Sequence, residues 1–305
     1  MGEAPAFPTL RGTRMVKELS KNRFYYLILL PAFAVVLFLT AYPVFQVLIN
    51  SFYKYNYLDN VRLPYGFRNY VEIIRDDLFQ TSFFNTLIFS AIATVVEVTF
   101  GFLLALLFYG LFQGKRVAMI IVVFPMMVST MVICAVWRTL YQFDIGLLNY
   151  LLRSVGLAPV GWLNDPHLAL FSVIIVDIWQ WTPFAFIIVQ AGLLSIGREI
   201  FEAASIDGAG YVQTVTRVTI PILWSQILLV ILLRTIDTFR IFAKVFALTG
   251  GGPGNSTETV SFYIYREGFV YFNLGRASTA SVYTLIVIAI IAFVYIRQIL
   301  SEGNA

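Results

Sequence analysis

The sequence predicts an all-α, polytopic membrane protein with six transmembrane helices, and two observations support this prediction. Hydrophobic residues make up 59% of the 305 residues and charged residues only 12%, with a mean hydropathy of +0.80. A soluble globular domain carries about 25% charged residues, so this chain could not cover a water-exposed surface of its size. Apolar stretches long enough to cross a bilayer as a helix also recur along the whole chain.

Six such stretches are the predicted spans. They cover residues 24–49, 82–110, 117–140, 168–194, 222–248 and 277–298. The first follows a basic segment, but it exceeds the roughly 7–15-residue apolar region of a signal peptide and lacks a small-residue cleavage site. We therefore expect a retained helix, with residues 1–23 as a cytoplasmic N-terminal tail and 24–305 as one membrane domain.

Basic residues predict that both termini are cytoplasmic. The predicted cytoplasmic segments carry bases, whereas the loops on the other side mix acids with bases, and the positive-inside rule then favours an N-in, C-in topology. The basic N-terminal cluster is accordingly an orientation signal, and we expect no nucleic-acid partner. The bases concerned are Arg11, Arg14, Lys17, Lys21, Arg23, Lys115, Arg116, Arg198, Arg217 and Arg297.

Residues typical of catalytic and metal sites are scarce. One cysteine, Cys134, and one histidine, His167, allow neither a disulfide within the chain nor a multi-histidine metal site. No nucleophile–base arrangement is apparent. The glycine-rich stretches 110–115 and 250–254 lack P-loop spacing. We therefore expect no catalytic residue, no metal and no ATP site on this chain.

A polar segment, "FEAASIDGAGYVQTVTRVTIP" (201–221), interrupts the apolar pattern between the fourth and fifth predicted spans. Helix-forming residues run from Arg198 to Asp207, with Ser195 as the expected N-cap and Gly208 as the stop. A second short helix is expected over 211–219, closed by Pro221. The pattern predicts a helix–turn–helix lying on the cytoplasmic surface.

The spacing within this segment resembles a known signature. Glu-Ala-Ala, three residues, Gly, nine residues and an aliphatic-x-aliphatic-Pro group are present. The pattern is similar to the EAA signature of the permease subunits of binding-protein-dependent ABC importers, although two aliphatic positions are Val and Ile where Ile and Leu are commonest. The resemblance implies a coupling helix that docks on an ATPase subunit through Glu202, Ala203, Ala204, Asp207, Gly208 and Pro221.

Three further stretches narrow the resemblance. "LTGGGPGNSTETVSFYIYREGF" (248–269), "WTPFAF" (181–186) and "NLGRASTAS" (273–281) are similar to sugar permeases related to the maltose and glycerol-phosphate permeases. The similarity extends from about residue 24 to the end of the chain. It implies an outer loop around Gly250, Gly251, Gly252 and Pro253, on the side where a loaded binding protein would dock. Its glycines can adopt positive φ repeatedly.

The resemblance also implies the partners. These are a second, non-identical permease, a dimer of ATPase subunits that holds ATP and Mg, a solute-binding protein, and a sugar or polyol crossing the bacterial inner membrane. Two alternatives remain open. An ion-coupled secondary transporter would explain buried acids, and a permease for glycerol phosphate esters would explain excess bases. A membrane-embedded enzyme is disfavoured by the lack of catalytic groups.

Charged residues within the predicted spans are the candidates for a substrate path. The fifth span holds Arg234, Asp237, Arg240 and Lys244, while Glu97 and Asp177 lie on the second and fourth. Ionisable groups at bilayer depth usually face a bundle interior or a wet cavity. One interpretation is internal pairing, of Arg234 with Asp237 and of the other bases with Glu97 or Asp177; a second is a polar path for a hydroxylated solute. A third interpretation is that bases near the span ends extend to the membrane surface, with Lys244 as the first candidate because it lies close to the outer surface.

Uncharged polar and aromatic side chains on the spans also have two interpretations. Asn85, Gln180 and Gln190 could meet sugar hydroxyls or could hold helices together. Tyr and Trp residues near the predicted span ends, Trp181 among them, fit interfacial anchors, with stacking on a ligand as the alternative.

Overall fold

The computed structural model is mainly helical. It describes the backbone of residues 10–110 and 112–302, and side chains from 28 to 298 with the exception of 111. The first helix, α1, runs from Leu10 to Asn50. Residues 1–9 of the predicted tail lie outside the described residues.

Within the part of the chain that the structure describes, four single helices are apolar and long enough to cross a membrane. Each contains most of one predicted span, so the first, second, fourth and sixth apolar stretches each correspond to one long helix. Within α1 the apolar part is Ile28–Asn50. The other three helices are α3 (Asp77–Tyr109), α7 (Ala169–Ser195) and α14 (Leu274–Glu302).

The predicted third and fifth spans are bent. Helix α4 (Lys115–Met127) meets α5 (Thr130–Leu140) at 99°, so the number of apolar crossings is four, or up to six if each bent pair is one span. The bend follows Pro125, which has no N–H to donate, and the extended backbone of Val128 (φ −89°, ψ 141°) completes it.

The predicted fifth span is broken at both ends. A helical stretch, Tyr211–Ile222, meets α11 (Trp224–Phe239) at 68°, and α11 ends before the separate helix α12 (Ala243–Leu248). The stretch comprises α9 (Tyr211–Thr214), a π-helical turn (Val215–Thr219) and α10 (Ile220–Ile222).

One short β-hairpin, which the sequence analysis did not predict, interrupts the mainly helical chain. Strands β1 (Tyr53–Asn56) and β2 (Val61–Pro64) form an antiparallel hairpin with Tyr53 opposite Pro64. Asn60 turns the chain at φ 50°, a conformation that Asn tolerates. Buried Asn69 of α2 (Arg68–Ile74) holds the hairpin by donating to the carbonyls of Ser51 and Tyr53.

Helices α3 and α7 form the most extensive helix pair of the core. They approach closely at Gly101, where an added Cβ would lie 2.5 Å from the Cβ of Ala185. Near the start of α7, apolar side chains such as Val173 pack with α5 and α12, and near its end Leu193 packs with α11.

Short helices complete the chain at the two ends of this core. They are α6 (Leu147–Ser154), α8 (Arg198–Ile206) and α13 (Val260–Tyr265), the last continuing into a π-helical turn (Arg266–Val270).

Candidate functional site

A cluster of buried charges joins three helices in the middle of the apolar core. Arg234 on α11 is 2% exposed, and its Nη2 donates to Asp177 Oδ2 on α7 (2.8 Å) and to Glu97 Oε1 on α3 (3.0 Å). Its Nε also donates to Glu97. Both carboxylates are buried. The guanidinium fork therefore satisfies two acids at once, an arrangement that suits the planar donor geometry of arginine.

Lys244 adds a second cation to this cluster. It is 1% exposed and donates to Asp177 Oδ1, so of the interpretations open for Lys244 the structure shows internal pairing and not extension to the outer surface. The helix breaks after Phe239, and α12 then places Lys244 against α7. Arg234 and Lys244 balance Glu97 and Asp177, as the high cost of an unpaired buried charge requires.

The cluster reaches a surface through Asp237 and Arg240. Arg234 Nη1 donates to Asp237 Oδ2 (2.7 Å), and Arg240 Nη2 lies 3.5 Å from Asp237 Oδ1. The side chains of Asp237 and Arg240 are 45% and 66% exposed. The pairing interpretation of the intramembrane charges is therefore realised in the structure, and only this last pair retains polar surface for another molecule.

An open cavity of about 280 Å³ lies beside the exposed pair. On one side of the cavity, the centre of the Trp181 ring lies 5.0 Å from the Arg234 guanidinium carbon and 5.9 Å from Lys244 Nζ. Both distances are within the range of cation–π attraction. Trp181 thus belongs to the site. The sequence alone did not distinguish it from an aromatic residue that anchors a helix at the membrane interface. The lining residues are Trp181, Phe184, Leu233, Arg234, Ile236, Asp237 and Arg240.

The uncharged candidates hold helices and loops in place. Gln180 does not line this cavity; its Nε2 lies 3.3 Å from both the Val128 carbonyl and Thr130 Oγ1, at the bend between α4 and α5. Gln190 donates to the Phe108 carbonyl of α3 at 3.4 Å. Asn85 donates to the carbonyls of Ser256 and Glu258 at 3.1 and 2.9 Å.

Residues 198–221, called the coupling segment after their predicted role, form the predicted helix–turn–helix with two differences. Gly197 rather than Ser195 precedes the first helix, because Ser195 Oγ donates back to the Gly192 carbonyl within α7. Gly208 stops the helix at φ 77°, as expected. Pro221 does not end the second helix, which continues to Ile222. Pro lies here near the start of a helical turn, where its missing N–H costs little.

The EAA residues face outward from this segment. Glu202, Ala203, Asp207 and Gly208 are exposed and Ala204 is half-buried, as the prediction of a docking surface requires. Three large apolar side chains that the sequence analysis did not single out are exposed around them, namely Ile206 (86%), Tyr211 (71%) and Val212 (70%). The sequence feature that could have indicated them is the presence of large apolar residues on either side of Gly208 and Gly210 in an otherwise polar segment.

One aromatic contact anchors the coupling segment to the core. The rings of Phe201 on α8 and Tyr109 at the end of α3 lie 5.5 Å apart. Phe201 packs on the same apolar cluster as Leu223, which lies at the bend before α11. Phe201 thus links α8 to the end of α3 and to the apolar cluster at the start of α11.

The glycine loop, residues 249–259, is an ordered turn at the opposite end of α7. Gly250, Gly251 and Gly254 have positive φ values of 60°, 85° and 57°, as the sequence predicts, and the Gly252–Pro253 bond is cis. An added Cβ at Gly251 would lie 2.5 Å from Glu258 Oε2, so this position also requires glycine for close packing.

Glu258 is the buried acid beneath this loop. It pairs with Arg266, and its Oε1 has no hydrogen-bond partner within the described residues. Burial raises the pKa of Glu258 to about 7, although the Arg266 charge opposes that shift. Among the described residues, no group of three or more metal-ligating side chains occurs.

Comparison with known proteins identifies the family. Residues 97–302 match the family of the binding-protein-dependent transport system inner membrane component. The chain belongs to this family. It is thus a multi-pass inner-membrane permease component of an ABC transport system, and such a component is not itself the ATPase.

Relatives within this family match nearly the whole chain. The trehalose/maltose transport system permease protein MalF of Thermococcus litoralis is 33% identical over 279 residues, 89% of this chain and 92% of that protein. The trehalose transport system permease protein SugA of Mycobacterium tuberculosis is 31% identical over 286 residues, 93% and 91% of the two chains. The lactose transport system permease protein LacF of Rhizobium radiobacter is 31% identical over 291 residues, 90% and 94%.

Solved structures show that the fold is shared. A chain of a bacterial ABC transporter involved in the import of the acidic polysaccharide alginate superposes with a TM-score of 0.83 at 23% identity, covering 94% of this permease and 99% of that chain. A chain of the alginate transporter in complex with an alginate pentasaccharide-bound periplasmic protein gives 0.81, covering 92% and 96%.

Proposed function

We propose that this permease forms one half of the translocation path of an ATP-driven importer for a sugar or related polyol. The observation that carries the proposal is that three relatives, each at least 31% identical over about nine-tenths of this chain, are named as permeases for trehalose, maltose or lactose. The solute would be delivered by a binding protein. Six spans with both termini cytoplasmic would place the coupling segment inside and the glycine loop outside.

The cavity at Asp237 supports a path for a neutral, hydroxylated solute. Its exposed carboxylate and guanidinium offer hydrogen-bond acceptors and donors, and Trp181 and Phe184 offer apolar faces. The six charges of Glu97, Asp177, Arg234, Asp237, Arg240 and Lys244 sum to zero, so the cluster has no excess of bases for a phosphate ester. We infer that Asp237 and Arg240 contact the solute, while Glu97, Asp177 and Arg234 fix their position and Gln180 supports the nearby bend.

The coupling segment supports docking on a separate ATPase. Its exposed Glu202 would meet a basic group, and Ile206, Tyr211 and Val212 would lose water-exposed apolar surface on docking. One chain supplies one such segment, and a dimer of ATPase subunits needs two. We therefore propose a second, non-identical permease, with ATP and Mg held by the ATPase pair.

Uptake in reconstituted liposomes tests the proposal. The purified permease pair, ATPase and binding protein are incorporated, and entry of labelled trehalose, maltose, lactose or a polyol is followed with internal ATP or a non-hydrolysable analogue. We expect uptake of one of these solutes only with ATP and binding protein, unaffected by an ionophore. ATP-independent uptake that the ionophore abolishes would instead identify an ion-coupled secondary transporter.

A further inference from the structure

A short helix connects the glycine loop to the buried charge cluster. Helix α12 (Ala243–Leu248) is separated from α11 by three residues, and the backbone of Phe242 there departs from helical values (φ −131°, ψ −57°). This break uncouples the orientation of α12 from that of α11. Its own packing is against α5 and α7, where Val245 and Leu248 are buried.

The loop end of α12 is tied firmly to the glycine loop. The Gly250 amide and the Thr249 hydroxyl both donate to the Val245 carbonyl of α12, at 2.8 and 3.0 Å. Within the loop, the hydroxyls of Thr249 and Thr257 share a hydrogen bond of 2.7 Å. Thr257 Oγ1 also donates to the Gly252 carbonyl at 2.8 Å. These bonds make α12 and the loop one body, so a partner that displaces the loop must also displace α12.

The other end of α12 is tied to the cluster by one ion pair. Lys244 donates to Asp177 Oδ1, and the second oxygen of the same carboxylate accepts from Arg234 at 2.8 Å. Arg234 in turn orients Asp237 at the edge of the cavity. A buried carboxylate shared by two cations responds to a shift of either, because neither contact can be replaced by water in this apolar core.

We propose that the Lys244–Asp177 ion pair transmits occupancy of the glycine loop to Arg234 and Asp237 at the cavity. Lys244 is thus a positioning residue for transport, acting through Asp177 rather than on the solute. This inference rests on the proposed function, in which a solute-binding protein docks at the loop. Docking would then change the cluster through α12, and by linkage the state of the cluster would change the affinity of the loop for its partner.

The test compares two ways of cutting the connection in the complete reconstituted transporter. Lys244→Met removes the ion pair, whereas the double variant Thr249→Val/Thr257→Val loosens the loop from α12 without changing any charge. The measured quantity is the ratio of ATPase activity with binding protein to activity without it. We expect both variants to lower this ratio about fivefold or more, the low end of typical allosteric coupling.

Two controls make the result specific. Lys244→Arg keeps a cation beside Asp177 and should retain the stimulation of the unmodified complex. Thr99→Val removes a hydroxyl that donates only to the Val95 carbonyl of its own helix, and it should have no effect. If Lys244 has only a structural role, Lys244→Met should lower the amount of assembled complex. The ATPase activities with and without binding protein would then fall together, and their ratio would stay unchanged.

The outcomes separate the two hypotheses. If binding protein stimulates the unmodified complex and equally stimulates the Lys244→Met and threonine variants, the transmission role is wrong while the proposed function stands. If the unmodified complex shows no stimulation, this inference fails, and the uptake assay decides separately whether the proposed function fails with it. Should Lys244→Met not assemble, the threonine double variant decides, since it leaves every buried charge paired.

Discussion

Removing the central guanidinium should cost more stability than any other single change in the cluster. In Arg234→Met, Glu97 remains 0% exposed and loses the cation that contacts both its oxygens, whereas Asp177 keeps Lys244 and Asp237 is already 45% exposed. The cost is therefore dominated by one buried, uncompensated carboxylate. Breaking a buried pair from one side costs about 3–5 kcal/mol. A half-exposed ion pair adds less than about 1 kcal/mol.

A double variant tests this reasoning directly. Arg234→Met/Glu97→Leu removes both charges, and replacing a whole buried pair by apolar groups is often close to neutral, so we expect most of the lost 3–5 kcal/mol to return. The free energy of unfolding is measured in mixed micelles by titration with a denaturing detergent, for both single variants and the double. The argument is refuted if Arg234→Met costs less than about 1 kcal/mol, or if the double variant is no more stable than the single.

Three further predictions concern the two ends of the molecule and the α3–α7 contact. Either Glu202→Lys or Gly208→Pro should leave membrane insertion intact but abolish co-purification with the ATPase or stimulation of its activity. The first variant reverses the charge of the proposed docking residue, and proline at position 208 cannot adopt the φ of 77° found there. Normal coupling in both variants would contradict the docking assignment. Burial raises the pKa of Glu258 to about 7 from 4.5, so the folded loop holds its proton more tightly than the unfolded chain and its stability should fall as pH rises from about 4.5 to about 7. Amide exchange at residues 249–259, compared at each pH with Glu258→Gln, should show that loss only in the unmodified chain, and identical pH profiles would contradict it. Gly101→Leu should cost about 1–3 kcal/mol by overpacking, while Gly110→Ala, where an added Cβ meets nothing within 4 Å, should be nearly neutral in the same unfolding titration.

Apolar length predicted the helices well where the spans are straight. A run of about 20 apolar residues leaves the backbone one way to satisfy its hydrogen bonds in lipid, so α3, α7 and α14 follow almost directly from composition. The bends were harder to predict. Pro125 and Pro221 are both visible in the sequence, yet the helix direction changes two or three residues after each proline, at Val128 and Leu223, and a proline alone does not fix the size of the bend.

The sequence predicts some members of the charge cluster and not others. The sequence indicates that Glu97, Asp177 and Arg234 must find partners, since buried charges are costly, and i,i+3 spacing identifies the Arg234–Asp237 pair. It leaves Lys244 between internal pairing and the membrane surface, because a continuous helix would place this residue near a span end, whereas α11 ends at Phe239. It also could not place Trp181 over the guanidinium, since that contact depends on how α7 and α11 cross.

The neutrality of the cluster bears on where solute selection takes place. Four of its six charged groups are buried and form ion pairs within the cluster, which leaves Asp237 and Arg240 as the exposed charged groups at the cavity. Two exposed groups and two aromatic faces can orient a hydroxylated solute but offer few contacts to distinguish one sugar from another. Strong discrimination needs several buried polar groups that a wrong solute would leave unpaired. A path that discriminates weakly would leave the choice of solute to the binding protein. In our proposal, Lys244 then controls the conformation of the cluster and not its contacts with the solute.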